Sequence, residues 1–274
     1  LLGHMAVGHN RYSTTGSSNP KNIQPFFAES RGKTYGLAHN GNLINSSALK
    51  TALEKNGAIF QTGTDSEIIL HLLVRSRGAD FIERFSSVLR RLRGSFSLAL
   101  FTVEGIVGAR DAFGFRPLLL GKLGNTHVLA SESCAFDLIG AETIREIEPG
   151  EVVFITNRGV ESHRWKRSSK RAHCIFEFIY FARPDSTIFG GSVYRARKKL
   201  GEHLAREFPF PGEIVLPIPD SGTFSALGFA QKKNLPFELG VIRNHYVGRT
   251  FIHPSQAGRD VGVRIKLNPV RQVV

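Results

Sequence analysis

The sequence has 274 residues, 41% of them hydrophobic and 22% charged, with 36 basic against 23 acidic side chains and a net charge of +13. Those proportions fit a folded chain of two modest domains or one large one, and exclude a disordered or low-complexity chain. No stretch approaches the ~20 apolar residues of a membrane helix, the opening LLGHMAVGHN lacks the basic-then-apolar layout of a secretory signal, and two cysteines, Cys134 and Cys174, are too few for a disulfide scaffold. No membrane partner is expected, and the reducing cytoplasm is the default location.

The first elements are read from apolar spacing. Residues 36–45, GLAHNGNLIN, form a short apolar segment ending in an Asn-Gly turn signal. Residues 45–57 read as a helix capped by Asn45 or Ser46, lined by Leu49, Ala52 and Leu53, and stopped by Gly57. Thr64 followed by Glu67 is a capping-box pattern opening a second helix, with Ile68, Ile69, Leu72 and Leu73 on one face. Phe81, Ile82, Phe85, Val88, Leu89 and Leu92 mark a third. GSFSLALF (94–101) alternates as a strand does, with Phe96, Leu98 and Leu100 on one side. Shorter strand-like runs follow at Gly105–Ala109, His127–Ser131 and Gly150–Thr156.

Residues 157–172 are basic, serine-bearing and without periodicity, which predicts a domain junction. Beyond it, Val193, Ala196, Leu200 and Leu204 keep helical spacing. EIVLPIPDSG (213–222) is an apolar run and a sharp turn, and TFSALGFAQKK starts another helix. Strand, polar turn and helix make the βα unit of a parallel sheet, whose ligands favour the carboxyl ends of the strands. The first part is therefore α+β and the second the beginning of an α/β domain. The positive charge suits a polyanion, either nucleic acid or a small phosphorylated substrate. Arg158, Arg164, Lys166, Arg167, Lys170 and Arg171 read as a solvated linker. Arg243, Arg249, Arg259, Arg264, Lys266 and Arg271 lie in glycine-bearing sequence better suited to ligand contact. Neither group shows the aromatic interleaving of a nucleic-acid surface, so no nucleic-acid partner is expected.

Four residues could together hold an amino acid. Arg11 can clamp a carboxylate and Asp65 can take an ammonium, while the Asn40 amide beside the Gly41 N–H offers two donors to an oxyanion. Each has a plainer alternative. Arg11 could be a surface ion-pair partner, Asn40-Gly41 a type I′ turn, and Asp65 a first-turn residue favoured by the helix dipole. The histidines show no metal-binding spacing.

GHNRYSTTG, LAHNGNL, TGTDSEI, RDAFGFRPL and ASESCAFD, in that order, resemble the class II, N-terminal-nucleophile glutamine amidotransferases. CIFEFIYFARPDS, PIPDSG and ELGVIRNHYVGRTFI narrow the resemblance to the amidophosphoribosyltransferase family. It implies a four-layer αββα glutaminase domain over residues 1–160, a basic linker at 161–172, and the first part of a type I phosphoribosyltransferase domain at 173–274. The implied reaction releases ammonia from glutamine and uses it to displace pyrophosphate from 5-phosphoribosyl 1-pyrophosphate. The product, 5-phosphoribosylamine, is the first committed intermediate of purine synthesis.

Residue by residue, the resemblance gives Arg11 and Asp65 to the glutamine α-carboxylate and α-amino group. Thr14 supports Arg11, Tyr12 gates the pocket, and Asn40 and Gly41 form the oxyanion hole. Arg110–Leu118 is a structural loop beneath the site. Asp220 and Ser221 lie on the phosphoribosylpyrophosphate side, with a Mg²⁺ contact at Ser221, and Arg243, Tyr246 and Arg249 belong to the loop that closes over it. Some family members hold a [4Fe–4S] cluster with one ligand at the position of Cys174; four thiolates are the usual set, so a plain buried cysteine is the alternative. Purine nucleotides as feedback inhibitors and a homo-oligomeric state are implied as well.

Two family features have no match among these residues. One is the N-terminal cysteine whose thiolate attacks the amide and whose own amine is the base. The other is the paired acidic residues and Gly-Thr turn of the phosphoribosyl site. The expectation is a fragment lacking both ends, inactive alone. The alternatives are a non-catalytic remnant or a different class II amidotransferase.

Overall fold

The computed structural model describes residues 3–10, 20–168, 170–208, 210–248 and 255–274. They divide into two units, Leu1–Ile175 and Phe176–Val274.

The first unit is built on an antiparallel sheet of six strands. These are β1 (Phe26–Ser30), β2 (Lys33–Leu43), β3 (Gly94–Thr102), β4 (Gly105–Arg110), β8 (Glu151–Thr156) and β9 (Gly159–Arg164), in that spatial order. Three helices, α1 (Ser46–Lys55), α2 (Ser66–Arg75) and α3 (Phe81–Leu89), connect β2 to β3. Their apolar faces bury Leu53, Ile69, Leu72, Leu73, Phe85 and Leu89 against Leu37, Phe96, Leu98 and Leu100 of the sheet. This is the packing that the spacing of those residues predicts.

A second sheet, in the order β6 (Thr126–Ala130), β5 (Leu119–Leu123), β7 (Glu142–Glu146), stacks on the opposite face. Leu118, Leu120, Leu129, Val153 and Ile155 fill the space between the sheets. The short helix α4 (Cys134–Ile139) covers the far side, its Phe136 ring lying 2.9 Å from where a Cβ on Gly121 would sit. Helices, sheet, sheet and helix are the four layers expected.

Three local expectations are corrected. Asn40-Gly41 is not a turn: β2 runs on to Leu43, with Asn40 opposite Ser97 and Gly41 opposite Phe96. Thr64 and Glu67 do not form a capping box. Helix α2 begins at Ser66, and Glu67 instead accepts from the Gln61 N–H (2.9 Å), the Thr62 N–H (2.8 Å) and the Thr62 hydroxyl (2.7 Å). Residues 161–172 are not a free linker. Glu161–Arg164 complete β9, Trp165 is buried with its indole N–H on the Arg110 carbonyl (3.2 Å), and the Ala172 and Cys174 N–H groups donate to Phe113 and Phe115.

The ion pair between Arg145 and Glu151 ties β7 to the start of β8. Two guanidinium bonds of 2.9 and 2.6 Å, the Ser162 hydroxyl at 2.6 Å and the Glu148 N–H at 2.6 Å all reach the Glu151 carboxylate. Burial pushes its pKa up, but these donors outweigh burial and hold it below its ordinary value.

In the second unit the hairpin β10 (Thr187–Ile188) and β11 (Gly191–Ser192) leads into α5 (Val193–Glu207), capped by the Ser192 hydroxyl. Helix α6 (Thr223–Lys233) crosses α5 so closely that a Cβ on Gly201 would collide with the Ser225 carbonyl, and one on Gly228 with the Lys198 carbonyl. The buried row of α5 is consequently Val193, Arg197, Gly201 and Ala205. Leu200 and Leu204, which keep helical spacing with Val193, are exposed. Buried Arg197 donates to the carbonyls of Phe178 (2.7 Å) and Ala182 (2.8 Å), closing the single π-turn Glu177–Phe181. The expected strand before α6 is reduced to one parallel bridge, Val215 to Phe237. A short pair, β12 (Val241–Arg243) with β13 (Leu267–Pro269), and helix α7 (Gln256–Lys266) complete the unit. No helix among the described residues is long and apolar enough to cross a membrane.

Glu151→Gln should weaken the fold by about 1–3 kcal/mol at neutral pH, the loss of charged hydrogen bonds on a buried carboxylate whose Arg145 partner is partly exposed. Because the folded pKa is depressed, that contribution is present above the ordinary value of 4.5 and lost as pH falls through the folded one. Urea unfolding should therefore show the native–variant difference shrinking below pH 4.5. Gly228→Ala should lower Tm by forcing α5 and α6 apart, with ~1–3 kcal/mol lost to overpacking.

Candidate functional site

The site expected from the sequence falls where β2 outruns its neighbour. Strand β1 pairs with β2 only from Lys33 to Leu37. Beyond Leu37 one side of β2 is still paired to β3, and the other has no strand partner among the described residues. The Ile44 N–H donates to the Arg93 carbonyl at 2.9 Å, on the β3 side. Strand N–H groups alternate between the two sides, so those of His39, Gly41 and Leu43 all face the open edge.

Two of the three are occupied by side chains. The His39 N–H donates to Gln24 Oε1 at 2.7 Å, and the Leu43 N–H to Asp65 Oδ2 at 2.7 Å. The Gly41 N–H lies between them on the same edge. Asp65 sits at the head of α2 with its carboxylate largely covered. The half-buried Asn40 leaves β2 on the face opposite His39. The structure thus brings Asn40, Gly41 and Asp65 together at one edge. Arg11, Tyr12 and Thr14 lie outside the described residues.

A buried polar network backs this edge. Gln24 Nε2 donates to Ser66 Oγ (3.2 Å), Ser66 Oγ meets His39 Nδ1 (3.0 Å), and His39 Nδ1 is 3.9 Å from Asp65 Oδ1. The Asn22 carboxamide oxygen accepts from the Gly63 N–H (3.2 Å), tying down the loop before α2. Asn22, Gln24, His39 and Ser66 were missed in the sequence reading. The available signal was register: Gln24 is the residue that would face His39 if the β1–β2 pairing continued.

Beneath the site lies the loop opened by Arg110. The guanidinium, fully buried, donates to the carbonyls of Arg116 (2.8 Å), Ile147 (2.6 Å) and Gly114 (3.0 Å). Asp111 accepts from the N–H groups of Phe96, Phe113, Gly114 and Phe115. Burial lowers the Arg110 pKa despite Glu146 and Asp111, and raises that of Asp111 despite its four backbone donors. Burial, then the Arg110 cation, holds His173 below its ordinary value and so neutral at physiological pH. All of these groups serve the fold.

In the second unit Asp220 and Ser221 immediately precede α6, and the Arg243 guanidinium forms an ion pair with Asp220. Tyr246 is fully exposed and touches neither; its N–H donates to Asn244 Oδ1 at 3.0 Å. Arg249 lies outside the described residues. Cys134 is buried and Cys174 partly so. Among the described residues no group of three or more His, Cys, Asp or Glu side chains is arranged to hold a metal ion.

Residues 9–137 match the glutamine amidotransferase domain family. The whole chain aligns with amidophosphoribosyltransferase 1 of Arabidopsis thaliana chloroplasts at 48% identity, and with the Bacillus subtilis amidophosphoribosyltransferase at 45%, covering 49% and 58% of those proteins. The solved B. subtilis glutamine phosphoribosylpyrophosphate amidotransferase, complexed with ADP and GMP, superimposes with a TM-score of 0.88 at 44% identity, over 97% of this chain and 58% of that one. The chain belongs to the amidophosphoribosyltransferase family, and spans about half the length of the curated relatives it matches.

Gly41 has φ of 151°, and a Cβ there would collide with the Ser95 carbonyl and come within 2.9 Å of His39 Nε2. Gly41→Ala should cost about 2–4 kcal/mol through strain and overpacking. Thermal unfolding beside native protein checks this; an unchanged Tm would show that the edge tolerates a side chain.

Proposed function

We propose that this protein takes part in the amidophosphoribosyltransferase reaction, and that the first unit recognises glutamine and stabilises the transition state of its hydrolysis. The observation that carries this reading is the open edge of β2. There the Gly41 N–H lies between two occupied N–H groups and beside the Asp65 carboxylate. A tetrahedral intermediate on the glutamine side chain would place its oxyanion on the Gly41 N–H and the Asn40 amide. Asp65 Oδ1 would accept the α-ammonium, since Oδ2 is engaged by Leu43. Arg11, supported by Thr14 and covered by Tyr12, would clamp the α-carboxylate. Family likeness supplies the attacking group, an N-terminal cysteine thiolate with its own amine as base. Cys134, buried on α4, is unsuited to that role.

Water then completes the conversion of glutamine to glutamate and ammonia. Ammonia displaces pyrophosphate from 5-phosphoribosyl 1-pyrophosphate, giving 5-phosphoribosylamine. Asp220, Ser221 and Arg243 would serve that second substrate, together with Tyr246 and Arg249. The hydroxyl and carboxylate of Ser221 and Asp220 are hard oxygen donors of the kind Mg²⁺ takes, and Mg²⁺ would neutralise the departing pyrophosphate. A [4Fe–4S] cluster does not fit the described residues. Among the described residues Cys174 has no group of further metal-ligating side chains around it. Inhibition by purine nucleotides and homo-oligomeric assembly belong to the same reading. So does a cytoplasmic location, although relatives from plants are chloroplastic.

The test is glutamate release by the full-length protein. Asp65→Asn should raise the glutamine KM by about tenfold or more, the loss of one charged hydrogen bond. Reaction with free ammonia and phosphoribosylpyrophosphate should be unaffected. A glutamine KM indifferent to Asp65 would overturn the reading.

A further inference from the structure

We propose that Gln24 is a positioning residue for the oxyanion hole, a role that rests on the glutaminase reading above. Strand β1 stops at Phe26, and the next residue back is Pro25, which has no N–H to continue the ladder. In register, Gln24 would oppose His39. Its backbone does not pair there; its side chain takes the place of the missing strand and accepts the His39 N–H at 2.7 Å. The other end of the same carboxamide donates to Ser66 Oγ at 3.2 Å, one residue past Asp65. One buried side chain thereby fixes two bodies at once. The first is the β2 segment that carries Asn40 and Gly41. The second is the head of α2 that carries Asp65. His39 Nδ1, 3.0 Å from the same Ser66 hydroxyl, closes the triangle.

The geometry gives Gln24 work that burial alone would not. It satisfies the N–H two residues before Gly41, as Asp65 satisfies the N–H two residues after. Both neighbours being filled, the edge is pinned on either side of the one N–H proposed to meet the oxyanion. If the Gln24 side chain loses both bonds, the Gly41 N–H and the Asn40 amide can drift relative to Asp65. Donors that drift lose their effect on charge developing in the transition state, while ground-state contacts to the amino acid end survive.

The test is steady-state glutamate release by the full-length protein with Gln24→Met, which keeps length and removes both hydrogen bonds, and Gln24→Glu, which keeps an acceptor for His39. Gln24→Met should lower kcat by about 10- to 100-fold, with KM changed by less than about threefold, an asymmetry that a general loss of fold would not produce. Gln24→Glu should recover kcat to within about threefold of native. If Gln24→Met does not fold, Ser66→Ala replaces it, since it leaves the His39 N–H bond and removes the shared hydroxyl; its kcat should fall severalfold. A native kcat in folded Gln24→Met, or in Ser66→Ala where that variant stands in, overturns the proposal. Asp65→Asn separates the two failures. If Asp65→Asn raises KM while the Gln24 and Ser66 variants behave as native, only the positioning role is lost. If none has any effect, the glutaminase reading falls with it.

Discussion

A strand that outlasts its partner leaves backbone donors without acceptors, and buried donors without acceptors are expensive. Strand β2 is such a strand. Its pairing with β1 ends at Leu37, yet it runs on to Leu43 with β3 still holding its other side. Three N–H groups on the abandoned side need partners or a reason to lack them. Gln24 and Asp65 answer for His39 and Leu43. What remains is the Gly41 N–H, on an exposed residue of a strand held by β3. A strand edge is usually a liability; here, among the described residues, two of the three positions are covered by side chains.

That edge is useful only if the sheet behind it does not give way. Strand β3 is the rigid backing, and the Arg110–Asp111 pair fixes β3 to the layers beneath. Asp111 accepts from the Phe96 N–H, directly across from Gly41 in register, while its own N–H donates to the Phe96 carbonyl. Arg110 gathers the carbonyls of the loop to Ile147, and its own carbonyl receives Trp165. Hydrogen bonds thus run from Trp165 through Arg110 and Asp111 to Phe96, which faces Gly41 as a non-hydrogen-bonded pair of the β2–β3 ladder. The burial that disturbs the pKa values of Arg110 and Asp111 is thus spent on immobility close to the site, with no ligand contact required of either.

Helices α1 to α3 and strand β3 were legible because their apolar residues repeat at the period of the element. The ordered motifs carried the family, and the four-layer class came with that resemblance. What escaped was set by tertiary contacts. Asn-Gly is a strong local turn signal, but the register with Ser97 and Phe96 overrides it and turns the same two residues into strand. In α5 helical spacing marked the element but not its buried face: Leu200 and Leu204 are exposed because α5 meets α6 through Gly201 and Gly228. Trp165 alone contradicted the linker read at 161–172, and one aromatic residue in a basic stretch is a weak signal. Gln24 had no pattern at all; only the β1–β2 register reveals it.

The net charge of +13 led to a polyanionic partner, yet the total conceals two different uses of arginine. Among the described residues the two most deeply buried arginines, Arg110 and Arg197, donate to main-chain carbonyls and serve the fold. Arg145, Arg171 and Arg183 are engaged by Glu151, Glu148 and Asp185. Arg110 and Arg197 are thereby accounted for by the fold, whereas the Arg171–Glu148 and Arg183–Asp185 pairs are open to solvent. The Arg243–Asp220 pair is also partly open, and is distinguished by its place at the head of α6. A guanidinium and carboxylate so placed can exchange each other for a phosphate and a metal or hydroxyl as a substrate arrives, which a pair sealed in the core cannot do. Where the Arg243–Asp220 pair sits says more about function than how many basic residues the chain contains.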